Sequence, residues 1–413
     1  MRIINIFLFI LLTPHLVKSQ EEPLSLESIL QRIENNNLLL QTYGLKAEAY
    51  QQSAEAATGW MAPMVGAGTY MTPYPFQKLM DGRDKGSWMI SAEQEIPNRK
   101  IQQSRKDYIA SKGKAELATR RITWNNLRTT AKRAYHNWLI SSQRIAVLME
   151  DMDIMDMMKK IEEVRYPYNQ SLLGNIYKID ALIEKNKNQI DMEQGVIEQS
   201  RALLNGLMNQ PGNQFFTIDT HYIPQLHLLI PDTNLLAQNR GDIRRIDEDI
   251  RSMQLGIASL QSERKPGFKV KFDHMSGFSS MMPHTYSVMG MISIPIVPWT
   301  SKMYKSETRA MESNIKSLEI EKTAMLQEAQ GMLFGMQFEI RSMQKKIDRL
   351  ENKVIPAMQQ SLDAYFLNYQ ENKLSINVVI DSWEDLNRQK MELLDDKLKL
   401  YQMIADYEKE WYK

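Results

Sequence analysis

Cysteine is missing from all 413 residues. No disulfide framework, no thiolate metal site and no cysteine-borne lipid is therefore open to this chain. Long apolar runs are missing as well. The run at residues 3–12, with Asn5 inside it, is too short to span a bilayer as a helix, and no later stretch reaches about 18 apolar residues. That excludes a helical membrane protein. Charge of one sign is not in excess either. The 51 Lys and Arg stand against 50 Asp and Glu, so nothing points to nucleic acid or to an acidic partner. Enzyme signatures are absent too: there is no His-Glu-x-x-His, no Gly-x-Ser-x-Gly and no phosphate-binding glycine loop before Lys-Ser/Thr. The expectation is a protein that is no enzyme and holds no cofactor.

What is present begins with an export signature. Arg2 precedes the apolar run, Thr13-Pro14 ends it, and Val17-Lys18-Ser19 offers a cleavage point before Gln20. Residues 1–19 are expected to be a signal peptide.

The rest is organised around two helical rods. From 302 to 371, apolar residues recur at Ile315, Leu318, Met325, Ala329, Met332, Met336, Ile340, Met343, Ile347, Leu350 and Val354, mostly in steps of three and four. That is the seam of a long helix packed on other helices. Seventy residues would extend about 105 Å. A rod of the same kind is expected at 98–168.

Around each rod the same series of elements is expected. First comes a helix over 21–61 with a small-residue face (Ala47, Ala49, Ala54, Ala56, Ala57), then a β-hairpin at 64–96, the rod, and a return helix at 176–208. Residues 212–238 read as a connecting belt. Then come a second helix from 241 to 263, a hairpin at 267–296, the second rod and a return helix at 376–411. Pro63 and Pro266 are 203 residues apart, Pro97 and Pro295 198, and Asp180 and Asp381 201. The chain is an internal duplication, with repeats at 20–211 and 239–413.

The hairpins alternate with period two. Trp88, Ile90, Ile96, Phe268, Val270, Phe272, Tyr286, Val288, Ile292 and Ile294 form apolar faces, and Glu93, Glu95, Lys269, Lys271 and Asp273 fall on the opposite faces. Apolar-out, polar-in alternation in runs of about ten residues is the pattern of a transmembrane β-barrel. Four strands cannot enclose a polar lumen, so several copies must contribute. Two soluble hairpins packed on each other would instead bury the charges or expose an aromatic face.

The order of elements, given twice behind a signal peptide, resembles the TolC-type outer-membrane efflux factors over essentially the whole mature chain. Arg240-Gly241-Asp242-Ile243 stands where that family commonly has Arg-Pro-Asp-Leu, Val354-Ile355-Pro356 interrupts the second rod where a proline is usual, and 369–382 is similar to the family's tip signature. The resemblance implies a homotrimer with a 12-stranded barrel in the outer membrane and an α-helical barrel crossing the periplasm. Its helical tips would meet a periplasmic adaptor and an inner-membrane pump, of the RND type in some relatives, with outer-membrane lipid around the barrel. A periplasmic adaptor would have one helical hairpin and large β-domains. A pore-less coiled-coil fibre would have no apolar-out strand pairs.

Candidate functional residues follow. Asp180 and Asp381 are read as equivalent, early in each return helix, where symmetry would gather carboxylates into a cation-selective ring; a first-turn Asp that merely favours the helix dipole is the plainer role. Ser171 and Asn372 replace the tip glycine of the family. Glu93, Glu95, Lys269, Lys271 and Asp273 would line the lumen. Methionine is abundant, 28 residues, and Met89, Met275, Met289 and Met291 fall on the lumen face, with His274 and His284 nearby in sequence. Thioether and imidazole suit soft metal ions, and relatives that export copper and silver make a metal cargo natural, although methionine is also an adaptable core filler.

Overall fold

The computed structural model describes residues 23–295 and 298–412. The expected signal peptide at 1–19 lies outside the described residues, as does residue 296 of the expected second hairpin. The chain is mostly helical with one small antiparallel sheet, so the fold is mainly α with a minor β part.

The elements run α1 (Leu26–Asn36), α2 (Leu38–Ala56), β1 (Met64–Tyr70), β2 (Ser87–Ile96), α3 (Arg99–Arg165), α4 (Leu173–Leu207), α5 (Thr233–Asn239), α6 (Gly241–Ser262), β3 (Gly267–Gly277), β4 (Thr285–Ser293), α7 (Pro298–Arg349), α8 (Ile355–Gln370) and α9 (Ile376–Trp411). The spine is α3. Its 67 residues make a rod of about 100 Å, and α2, α4, α6 and α9 all lie against it. The Asn98 side chain opens it by accepting from the Lys100 N–H. No proline interrupts it. Gly113 lets α2 come close: a Cβ there would stand 3.1 Å from the Ala47 carbonyl oxygen, which is where the small-residue face of α2 sits.

Three local features depart from the sequence reading. The helix expected over 21–61 is broken at Asn37, whose backbone is extended (ψ 118°) and whose side chain caps α2 by accepting from Leu39 and Leu40. Its amide also donates to the Leu207 carbonyl, 2.9 Å away, so a contact 170 residues distant fixes the break. The second rod is not uniform. Pro356 has no N–H to return to the carbonyl one turn back, and its ring displaces that carbonyl. The chain responds with a π-helical turn at Leu350–Val354, where the Ile355 N–H reaches the Leu350 carbonyl, before α8 resumes. The belt, finally, is not wholly irregular, since α5 forms within it behind an Asp232 cap.

The belt straps the helices together. Tyr135 donates to the Asp219 carbonyl at 2.9 Å, Gln330 to the Pro231 carbonyl at 2.8 Å, and Gln337 to the Leu229 carbonyl at 2.6 Å. Beneath it lies the larger core, built from Ile29 and Ile33 of α1, Trp138 and Leu139 of α3, Leu333 and Ile340 of α7, and Ile404 and Trp411 of α9. His136 is enclosed there between Tyr222 and Tyr401. Burial pushes its pKa down to about 3, so it stays neutral. A second core sits at the far end of the rods, around Met155, Met158, Ile179, Ile183, Tyr369, Val379 and Trp383.

Candidate functional site

The four strands form one antiparallel sheet in chain order, β1-β2-β3-β4. β2 pairs along its whole length with β3 and so joins the two halves of the chain, and the outer edges of β1 and β4 are unpaired within the described residues. The register sorts the side chains into two faces, because directly opposed residues share a face. Glu93 opposes Lys271, Glu95 opposes Lys269 and Ser91 opposes Asp273. On the other face Ala92 opposes Phe272, and Ile96 opposes Phe268; Phe272 in turn opposes Val288, and Phe268 opposes Ile292. All five charged candidates, Glu93, Glu95, Lys269, Lys271 and Asp273, therefore lie together.

Exposure is inverted relative to a sheet in water. Val288 and Ile292 are 63% and 62% exposed, whereas Asp273 is 6% exposed. The charges are also matched. Lys269 Nζ is 3.2 Å from Glu93 Oε1, and Lys271 Nζ is 3.0 Å from Asp273 Oδ1. A sheet that pairs and partly covers most of its charges while presenting its aromatic and aliphatic residues needs an apolar surrounding on its outer face.

The candidate metal-binding residues are divided by the same register. Met89 opposes Met275 on the charged face, and Met289 and Met291 lie there opposite Lys271 and Lys269. His274 opposes Ile90 and Tyr286 on the apolar face. His284 stacks on His274 there, with ring centres 6.2 Å apart. The six residues do not converge on one point.

The helical tips carry the second constellation. Both turns are closed by an asparagine in the left-handed region, Asn169 (φ 57°) and Asn372 (φ 60°). The following N–H groups reach back to helix carbonyls, Gln170 to Arg165 at 3.2 Å and Lys373 to Asn368 at 2.9 Å. Asn372 was expected in that role. Ser171 was not correctly placed: the left-handed residue of the first tip is Asn169, which tolerates that backbone better than serine. Ser171 instead donates its hydroxyl to Glu162.

Glu162 is the centre of this tip. It is buried (1% exposed) and also accepts from the Tyr369 hydroxyl and from Asn175 Nδ2 at 3.0 Å. Arg165 lies over the Tyr369 ring, 4.3 Å from its centre, and donates to the carbonyls of Tyr369 and Gln370. Burial, then the bond to Glu162, raises the Tyr369 pKa, so the phenol remains a donor. These residues, with Ser171, Asn372 and Ile376, line a cavity of about 550 Å³ between the tips. One carboxylate thus ties α3, the first turn and the end of α8 together.

The two aspartates fall outside that cavity and are not equivalent. Asn169 and Asn372 are 203 residues apart, and so are the first residues of α4 and α9, Leu173 and Ile376. In this register Asp180 matches Trp383, and Lys178 matches Asp381. The 201-residue match of Asp180 with Asp381 is thus corrected by the shared turn geometry. Lys178 Nζ is 3.1 Å from Asp381 Oδ1, and Lys159 Nζ is 2.6 Å from Asp180 Oδ1. Asp381 is exposed and Asp180 half-buried, and each has a lysine partner.

One further carboxylate was not singled out. Asp151 of α3 is 1% exposed, beside Trp383 and Lys390. Burial pushes its pKa up to about 6, against the pull of Lys390.

No family model matches the chain, and no curated protein matches it by sequence. Solved structures do. The outer-membrane channel OprN is 14% identical, with 94% of this chain and 91% of that one covered and a TM-score of 0.73. The outer membrane protein VceC of Vibrio cholerae is 13% identical, with 94% and 95% covered and a TM-score of 0.70. The open state of the MtrE outer membrane channel of Neisseria gonorrhoeae is 16% identical, with 94% and 88% covered and a TM-score of 0.67. Coverage near the full length of both partners means that the likeness extends to the whole architecture.

Proposed function

The chain has the fold of the TolC-type outer-membrane efflux channels, and from that premise we propose that it is the outer-membrane component of a tripartite efflux system. Three copies close a 12-stranded barrel in the outer membrane and an α-helical barrel in the periplasm. The assembly is a passive conduit for small molecules or metal ions. Its helical tips meet a periplasmic adaptor and an inner-membrane pump of the RND type.

The observation that carries this reading is the sheet. It has two open edges, an exposed apolar face and a charged face that is paired and partly covered. Joining edge to edge with other copies removes the open edges and turns the charged face inward, where water fills the lumen. The helices support the same reading. Ile320, Phe338 and Met303 of α7 are 72%, 66% and 66% exposed, a density of bare apolar side chains that a neighbouring copy would cover. In a closed trimer the tips of α3/α4 and α8/α9 meet at the periplasmic end. Glu162 and Tyr369 then hold each protomer's two tips together, and widening the mouth requires that bond to strain or break.

Mass measurement of the detergent-extracted complex tests the proposal. Three chains per complex in the outer-membrane fraction is the expected result. A monomer recovered from the periplasm without detergent overturns it.

A further inference from the structure

The charged face of the sheet changes character along its length. Its acids and lysines occupy the rows nearer the helices, and the two rows next to the hairpin loops carry no charge. In one of these rows Met89 directly opposes Met275, with Thr285 beyond it on β4. In the next, Ser87 opposes Gly277. Met282, from the loop between β3 and β4, folds back over that last row. A Cβ on Gly277 would stand 2.3 Å from Met282 Cβ and 3.1 Å from its Sδ. The glycine thus leaves the space that the methionine fills. The Met282 N–H closes the turn by donating to the Ser279 carbonyl at 3.0 Å.

We propose that Met89, Met275 and Met282 form a three-thioether site for one soft monovalent cation, Ag⁺ or Cu⁺, at the loop end of the lumen face. The donor chemistry selects the ion. Thioether sulfur is uncharged and polarisable, and it suits soft ions such as Cu⁺. Hard cations such as Mg²⁺ and Ca²⁺ need several oxygen ligands. The nearest carboxylate on this face, Asp273, is one row away and is held by Lys271 at 3.0 Å.

The reach is also right. Directly opposed side chains such as Met89 and Met275 start about 4.5–5.5 Å apart at their Cβ atoms. Successive rows on one face lie about 6.7 Å apart, and Met282 stands over the row beside Met275. Each methionine has three rotatable bonds, so the three sulfurs can close on one ion without a shift of the strands. All three side chains are half-buried, so they are partly dry and still open to an ion. Neutral donors also leave the ion its positive charge and hold it loosely enough to depart, which suits an ion in transit. That transit role rests on the channel reading. The site itself rests on the strand register and on Gly277.

The test uses the full chain without a histidine tag, in detergent and chloride-free nitrate buffer, titrated with AgNO₃ by calorimetry. The mass of the complex is measured alongside. One tightly held Ag⁺ per chain is expected, with sulfur neighbours in its X-ray absorption spectrum, and no heat from Mg(NO₃)₂. Met89→Leu, Met275→Leu and Met282→Leu should each weaken binding about tenfold or more. Gly277→Ala keeps all three thioethers but displaces Met282, and should weaken binding as much as Met282→Leu does. Met192→Leu removes an exposed methionine of α4 and should change nothing. Unaltered affinity in the three lumen variants, equal loss in Met192→Leu, or no uptake at millimolar AgNO₃ overturns the proposal. A trimer that takes up no Ag⁺ removes the site and leaves the channel. A monomer that binds Ag⁺ through these sulfurs keeps the site and removes the channel.

Discussion

Five buried residues of α3 step by three and four: Leu148, Asp151, Met155, Met158 and Glu162. Two of them are carboxylates set into a seam that packing would fill with apolar side chains. Their fates differ because their neighbours do. Glu162 has three donors, and Asp151 has an oxygen with no hydrogen-bond partner. Removing one donor from a charged acceptor costs about 1.5–3 kcal/mol. Tyr369→Phe should therefore lower the melting temperature and favour a wider tip, read as longer open times in single-channel recording. An unaltered variant would show that the phenol does not bind Glu162. Asp151 carries the opposite sign. Its carboxyl is held above its ordinary range, to about 6, so the folded state prefers the proton. That contribution is full below about pH 4 and is lost as pH rises through 6. Asp151→Asn mimics the protonated form and should stabilise the protein by about 2 kcal/mol at pH 8 and hardly at all at pH 4. Equal melting shifts at both pH values would refute the buried charge. Neither carboxylate was singled out from the sequence, because a three-four step along the rod does not reveal which donors surround a side chain or how deeply it is buried.

Among the elements, the strands were the most legible part. Period-two alternation assigns every residue a face, and the faces of Glu93, Glu95, Lys269, Lys271 and Asp273 follow from it without the partner strand. What alternation cannot give is the diagonal contact that carries His284 to His274, which depends on where the loop returns. The helix boundaries failed for a related reason. The break at Asn37 rests on Leu207, and the π turn before Pro356 is a backbone response to a missing donor, which the seam pattern passes through unchanged. The face assignment has a direct test. Val270→Arg or Ile292→Arg places a cation on the outer face and should cost about 2–4 kcal/mol near a bilayer midplane. Lys271→Arg keeps its charge beside Asp273 and should be mild. Heat-modifiability of the complex on gels measures both, and equal loss at both positions would reverse inside and outside.

At the scale of the whole molecule, two halves with the same order of elements meet at the tips, and small differences between them set the charge there. An acidic ring was anticipated from Asp180 and Asp381. The shared turn geometry puts Lys178 opposite Asp381 instead, and the two are in contact. In the proposed trimer, that arrangement would give three ion pairs rather than three bare carboxylates. The pair is exposed and adds at most about 1 kcal/mol to stability, so its removal should leave the assembly intact. Its electrical effect is larger than its structural one, because an ammonium within a Debye length of about 8 Å at physiological salt cancels much of the field that a cation approaching the mouth would feel. Lys178→Met should therefore increase cation preference in single-channel recordings, most strongly at low salt. Asp381→Asn should shift preference toward anions, and the double variant should lie between them. Asp180→Asn should leave selectivity nearly unchanged if Asp180 stands away from the narrowest ring. If Lys178→Met and Asp381→Asn both conduct like the parent in a fully assembled trimer, neither residue faces the pore, and the charge that sets selectivity lies in the lumen with Glu93, Glu95 and Lys269.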